Sequence, residues 1–223
     1  MSLEEPDRPP QTASSAAPAQ SQQPRRIGLF GGTFDPPHIG HLIVAEAVRD
    51  TLHLDEIRWI VANDPWQKTS DRRISDADVR LAMVRAALDG APGMEASDVE
   101  IRLGGASYSI VTLEHLRSAE PDTEWLLIVG ADAASGLDTW HRADELADMV
   151  EVVVVNRPGE CDDNDAGGTA PPGWRWQPVE VPAIGVSSTD LRRRVATGRS
   201  IRFLTPAAVA DIIDTEQLYR QPR

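Results

Sequence analysis

A doubly wound α/β fold, a parallel sheet with helices on both faces and a small C-terminal helical part, is the class this sequence predicts. Two observations carry that prediction. From residue 25 onward, short apolar runs of strand length alternate with stretches of helical periodicity, the pattern that builds a parallel sheet buried on both faces. The chain also has the material for a core, since 41% of its 223 residues are hydrophobic against 26% charged, a balance foreign to disordered chains. The length suits one domain. No apolar run approaches the roughly 18 residues of a membrane span, and the acidic, core-less N-terminus does not read as a secretory signal.

Residues 1–24 are rich in Pro, Ser, Ala and Gln and almost free of large apolar side chains. They read as a disordered tail, which leaves 25–223 as the folded domain. Strands are expected at 27–30, 57–61, 99–103, 125–129, 152–155 and 176–181, and helices at 42–52, 77–88, 110–117 and 143–149. The stretch 157–174, dense in Gly, Asp and Pro, reads as a surface loop. Ser187 then looks like an N-cap, with Asp190 three residues on as a capping-box variant. A helix over 188–197 follows and Gly198 stops it. Thr205-Pro206 starts one more helix by N-cap and N1 preference.

Charge narrows the function. With 22 Lys and Arg against 35 Asp and Glu, the net charge is −13, the opposite of a polyanion-binding surface. Nucleic acid and acidic membranes are therefore poor partners. An anionic ligand has to be small and held by a local cluster of donors. The lone cysteine, Cys161, has no partner for an internal disulfide, which fits a reducing cytoplasm.

The residues that carry chemistry begin directly after the first strand, with Gly31-Gly32-Thr33-Phe34-Asp35-Pro36-Pro37-His38-Ile39-Gly40-His41. Two glycines allow a tight turn and a close approach to phosphate. The helix that follows offers amide N–H groups and the positive end of its dipole. His38 and His41, three apart, project from one face at the helix start and can donate to phosphate oxygens. As a zinc site the pair is incomplete, having no third His and no Cys nearby. Asp35 has a plainer reading as the cap of the turn.

This segment resembles the HxGH signature of the nucleotidyltransferase superfamily. The second superfamily signature has its counterpart in Val186-Ser187-Ser188-Thr189-Asp190-Leu191-Arg192. Between the two, Pro65-Trp66-Gln67-Lys68, Gly105-Ala106-Ser107-Tyr108-Ser109, Gly130-Ala131-Asp132, Thr139-Trp140-His141 and Arg157-Pro158-Gly159 are similar to bacterial nicotinate-nucleotide adenylyltransferases, as is Leu218-Tyr219-Arg220 near the end. The likeness spans about residues 26–220 and implies a Rossmann-like nucleotidyltransferase fold. It further implies transfer of the adenylyl group of ATP to nicotinate mononucleotide, giving deamido-NAD and pyrophosphate in NAD biosynthesis. Mg²⁺ is expected to arrive with the ATP, with no protein carboxylate cage for it.

The resemblance assigns His38, His41 and Arg192 as catalytic. It places Gly31, Gly32, Thr33, Phe34, Lys68, Ser187, Ser188 and Thr189, together with those three, at the ATP. For the acceptor it implies stacking of Trp140 on the pyridine ring and backbone donors around Tyr108 and Ser109 for the carboxylate. Asp132 is expected at a ribose hydroxyl and Arg157 near the acceptor phosphate. Structural alternatives stand beside three of these: Trp140 as a core aromatic, Arg157 as a surface loop residue and Lys68 as a solvated charge. The Trp-Gln-Lys loop replaces the Pro-Pro-His of many relatives, and residues 160–173 have no counterpart. Competing readings are another transferase of the superfamily, a nucleotide-binding module without turnover, and nicotinamide mononucleotide as acceptor. A homo-oligomer is left open.

Overall fold

The computed structural model describes residues 24–64, 74–156 and 170–220. Six strands run in chain order: β1 (Arg25–Gly32), β2 (Glu56–Val61), β3 (Met94–Ser97), β4 (Thr123–Gly130), β5 (Glu151–Asn156) and β6 (Trp176–Glu180). They form one sheet in the order β3-β2-β1-β4-β5-β6, with every pairing parallel. The doubly wound expectation holds. The order reverses between β1 and β4, and ligands of such sheets bind at that reversal, beyond the carboxyl ends of the strands.

Strand β4 shows why the sheet forms. Its five buried positions are continuous, but alternate side chains serve different faces. Trp125, Leu127 and Val129 enter a core with Leu113 and Leu116 of α4 (Ser109–Ala119) and Leu146 of α6 (Ala143–Met149). Leu126 and Ile128 enter the opposite core, with Ala45 and Val48 of α1 (Ile39–Thr51) and Leu81 and Val84 of α2 (Ala77–Ala87). A third, smaller cluster seats Val209 and Ile213 of α8 (Ala207–Thr215) on Met83 of α2. It ties the C-terminal helical part, α7 (Ser188–Ala196) and α8, to the sheet layer. At roughly 25 cal/mol per Å² of apolar surface removed from water, these clusters are the main source of stability.

Two expectations need correction. Residues 99–103 are a five-residue helix, α3 (Val99–Leu103), and the strand lies just before it as β3. Apolar residues at 99, 101 and 103 mimic strand alternation, while 99 and 103 also share a helical face, and five residues cannot separate the two periods. β3 is a half-exposed edge strand, so its own apolar signal is weak. At α8 the N-cap is Pro206, not Thr205, because the Thr205 hydroxyl instead donates to the Pro37 carbonyl at 2.8 Å. The Ser187 cap is as expected: its Oγ accepts from the Asp190 N–H at 3.1 Å. Asp190 does not reach back; its carboxylate pairs with Arg193 and Arg194.

Candidate active site

Beyond the ends of β1 and β4 lie two compartments that share the wall Phe30–Gly31–Gly32–Thr33. One, about 390 Å³, is also lined by Phe34, Asp35, His38, His41, Ser187, Ser188 and Thr189. The other, about 550 Å³, is closed by residues that include Glu100, Tyr108, Ser109, Asp132, Trp140 and His141. Nearly all the site residues expected from the sequence therefore converge on one crevice. Lys68 and Arg157 lie outside the described residues.

In the smaller compartment the glycines work differently from the expected turn. Gly31 and Gly32 complete β1, and the left-handed backbone falls on Phe34, at φ 48°. Where a Cβ on Gly31 would stand there is open space, whereas on Gly32 it would come within 2.8 Å of the Phe34 ring. The former keeps the strand end clear for a ligand and the latter lets Phe34 fold under it. Phe34 is then locked edge-on to Phe30 and His41 and against Trp59.

His38 is the N-cap of α1, in extended backbone, and His41 is its third residue. Their rings stack at 3.7 Å. The His38 N–H donates to Nδ1 of His41 at 3.1 Å. An acceptor nitrogen carries no proton, so the neutral His41 ring must hold its hydrogen on Nε2. His38 is 7% exposed, and burial pushes its pKa down to about 4, since desolvation disfavours the imidazolium. At neutral pH it is a hydrogen-bonding group without charge. Gly40 is what permits the stack to sit so close, because a Cβ there would come within 3.0 Å of His38 Nδ1.

The α1 N-terminus is not wholly free for a ligand. Ile39 N–H, the first amide of the helix, donates to the Leu204 carbonyl at 3.0 Å. Arg192, one turn into α7, turns toward the protein. Its Nη1 donates to the Asp35 carbonyl at 2.7 Å and its Nη2 to Thr189 Oγ1 at 2.9 Å. Ser188 Oγ likewise donates to the Pro36 carbonyl at 2.8 Å.

The larger compartment is built around the start of α4. Tyr108 is its N-cap and Ser109 its first residue. Tyr108 stacks on His141 at 4.3 Å. Trp140 follows a 3-10 turn (Leu137–Thr139) and packs partly against the core, as its structural reading expects, while another part of it lines the cavity. Asp132 sits in α5 (Ala131–Ala134), the short helix directly after β4.

Three residues here were given no role from the sequence, although Tyr219 belongs to one of the motifs quoted above. Glu100 lines the larger compartment, is 9% exposed, and accepts from Thr112 Oγ1 at 2.7 Å; burial holds its pKa above the ordinary carboxylate range. Arg80 is 1% exposed and donates to the carbonyls of Ser75, Thr33 and Asn63. Asn63 in turn donates to Gly105 O, and Ser107 N–H to Asp64 O, so one guanidinium ties the β1 exit to the turn that precedes α4. An arginine next to Leu81 and one turn before Val84, on the apolar side of α2, was the available signal. The third is Tyr219, whose hydroxyl donates to Asp35 Oδ1 at 2.6 Å; Asp35 is thus an anchor, not a turn cap.

Comparison with known proteins places the chain. The cytidylyltransferase-like family matches residues 29–194, from β1 into α7. A probable nicotinate-nucleotide adenylyltransferase of Salinibacter ruber is 40% identical over 201 residues, covering 87% of this chain and 97% of the relative. One from a Synechococcus species is 40% identical over 211 residues, covering 92% of this chain and all of the relative. In fold, the chain is similar to the Plasmodium falciparum nicotinic acid mononucleotide adenylyltransferase complexed with NaAD, with a TM-score of 0.72 at 15% identity over 87% of this chain and 97% of that one. Two signatures at the ends of the crevice and a likeness running the length of the relatives lead to one assignment: the chain belongs to the cytidylyltransferase-like family and, within it, to the nicotinate-nucleotide adenylyltransferases.

Proposed function

We propose that this protein transfers the adenylyl group of ATP to nicotinate mononucleotide, forming deamido-NAD and releasing pyrophosphate, a step of NAD biosynthesis. The observation that carries this reading is the pair of compartments meeting at Phe30–Thr33, one rich in donors for phosphate and the other aromatic. An acceptor phosphate bound in the larger compartment faces the α-phosphorus of ATP bound in the smaller. Its oxygen attacks phosphorus, the bond to the bridging oxygen breaks, and the electron pair leaves with pyrophosphate. The attacking oxygen is already anionic, so no base is required; catalysis is placement plus stabilisation of charge on the transferring group.

His41 is the best placed donor, through Nε2–H, with His38 beside it as a neutral partner. Gly31, Gly32, Thr33 and Phe34 give the floor for the nucleotide. Ser187, Ser188, Thr189 and Arg192 receive the β- and γ-phosphates, Arg192 acting with the histidines on the transferring group, and Ser188 and Arg192 also hold the loop that carries the histidines. Lys68 is assigned to the triphosphate and Arg157 to the acceptor phosphate on the family resemblance alone. In the larger compartment Trp140 stacks on the pyridine ring, α4 N–H groups at Tyr108 and Ser109 receive the carboxylate, and Asp132 takes a ribose hydroxyl. An apolar slot with a few polar groups is how small-ligand specificity is usually built.

Mg²⁺ enters as part of the substrate Mg-ATP. The donors of the phosphate compartment are imidazole and hydroxyl groups, suited to phosphate oxygens rather than to this hard cation. Asp35, the carboxylate on its wall, has Oδ1 committed to Tyr219 and Oδ2 buried. Phosphate oxygens and water then complete the ion's shell. Residues 25–223 act as a single domain in this reading. The reducing cytoplasm is the proposed location, on the lone Cys161; no helix among the described residues is long and apolar enough to cross a membrane.

Product analysis tests the proposal: purified protein with Mg-ATP and each mononucleotide in turn. Deamido-NAD and pyrophosphate form much faster from the nicotinate acceptor than NAD does from the nicotinamide one. Faster turnover of the nicotinamide form overturns the acceptor, and no product from either overturns the reaction.

A further inference from the structure

The segment 35–39, which carries His38 into the site, is gripped residue by residue from the far end of the chain. The carbonyl of Asp35 accepts from Arg192, that of Pro36 from Ser188 Oγ and that of Pro37 from Thr205 Oγ1, and Ile39 N–H donates to Leu204 O. Four of these bonds are to main chain and fix its path. The fifth differs in kind: Tyr219 Oη–H donates to the side chain of Asp35, which is 1% exposed and whose Oδ2 has no hydrogen-bond partner among the described residues. A buried carboxylate without a donor costs far more than a neutral hydrogen bond contributes; here the phenol supplies the hydrogen bond, and the charge of buried Arg80 is close enough to favour the carboxylate as well.

The chain goes to some length to deliver that hydroxyl. Gln217 and Tyr219 both take left-handed backbone, at φ 53° and 60°, which ordinary residues adopt at a cost and which persists where the surroundings enforce it. The Tyr219 ring and Leu218 pack against the Met83–Val209–Ile213 cluster, so the ring has a seat that does not depend on its hydroxyl. Apolar packing alone would be served by phenylalanine.

We propose that Tyr219 is a positioning residue for adenylyl transfer, holding the Phe34–His38 segment through the Asp35 carboxylate so that the His38–His41 pair meets the triphosphate in register. This rests on the proposed function. Its bond lies on the phosphate side of the crevice, away from the acceptor cavity, so the effect belongs to kcat. Tyr219→Phe keeps the ring and removes the donor. It lowers kcat by about 10-fold or more, the scale of one hydrogen bond to a charged group, with the KM for the mononucleotide within twofold of wild type.

The experiment measures kcat and both KM values for Tyr219→Phe, Asp35→Asn and the double variant, each per folded protein, with Mg-ATP and nicotinate mononucleotide. Residues that act through each other give a double variant no worse than the poorer single one. Additive losses, or an unchanged kcat in Tyr219→Phe, overturn the proposal, as does an equal fall in stability with kcat per folded molecule intact. Wild-type turnover in the same assay reports on the proposed function separately. The ¹⁵N signals of His38 and His41 give a readout that needs no turnover: they shift in Tyr219→Phe if the segment relaxes, and a superimposable spectrum counts against the role.

Discussion

The two compartments that share the end of β1 are built by opposite means. The phosphate compartment takes its lining beyond the shared wall from two short stretches, 34–41 and 187–189, and its main chain is fixed by bonds from α7 and the residues that follow. The larger compartment draws its lining beyond the shared wall from more elements, β2, α3, the start of α4, the end of β4, α5 and the turn before α6, and includes a ring stack, Tyr108 on His141. Backbone geometry governs the first and side-chain packing governs the second. The lesson is that changes in the first should appear in the rate of transfer, and changes in the second in how well the acceptor is held.

The sharpest way to break that contrast is His41→Ala. Loss of a preorganised donor to developing charge lowers kcat by about 10²–10⁴-fold, with the acceptor KM little changed. Turnover within a few-fold of wild type removes His41 from the chemistry. Trp140→Ala probes the other side. It weakens the acceptor by about 1–3 kcal/mol, the scale of one ring stacked on a base, while kcat at saturation moves much less. A fall in Tm with an unchanged acceptor KM would leave Trp140 only its packing against the core.

The smallest expected effect lies in stability. His38 titrates at about 4 in the folded chain against 6.5 ordinarily. Between those values the unfolded chain binds the extra proton, so stability present above pH 6.5 is lost as pH falls toward 4, by on the order of 2 kcal/mol. Denaturant titrations at a series of pH values check it. In His38→Gln that part of the slope disappears, and a slope unchanged by the substitution rules His38 out as its source.

How much of this was legible in the sequence differs between the same two regions. The glycine–histidine segment and the Val186–Arg192 segment are contiguous, each sits between a strand and a helix or starts one, and both read directly. Tyr108, Trp140 and Asp132 were reached through resemblance, and the structure adds that they line one cavity. Glu100 was hidden because residues 99–103 read as a strand, which turns a cavity carboxylate into an ordinary alternating charge. Arg80 and Tyr219 act through atoms 47 and 184 residues away, and no local pattern announces a carbonyl or a carboxylate at that distance. The glycine expectation divides: Gly31 leaves open space as anticipated, but Phe34, not glycine, supplies the positive φ of the turn.

The grip of residues 188–219 on the loop after β1 has a consequence for how the protein comes into being. Its bonds join positions separated by 152 to 184 residues, and contacts of such long loops close late because the entropy of closure precedes any gain. On the ribosome the Rossmann-like layer can assemble while the loop bearing the histidines still lacks its clamps. A nascent chain can therefore hold a sheet and both its cores before it holds a finished active site, and competence for transfer arrives only once α7, α8 and the residues around them have been made.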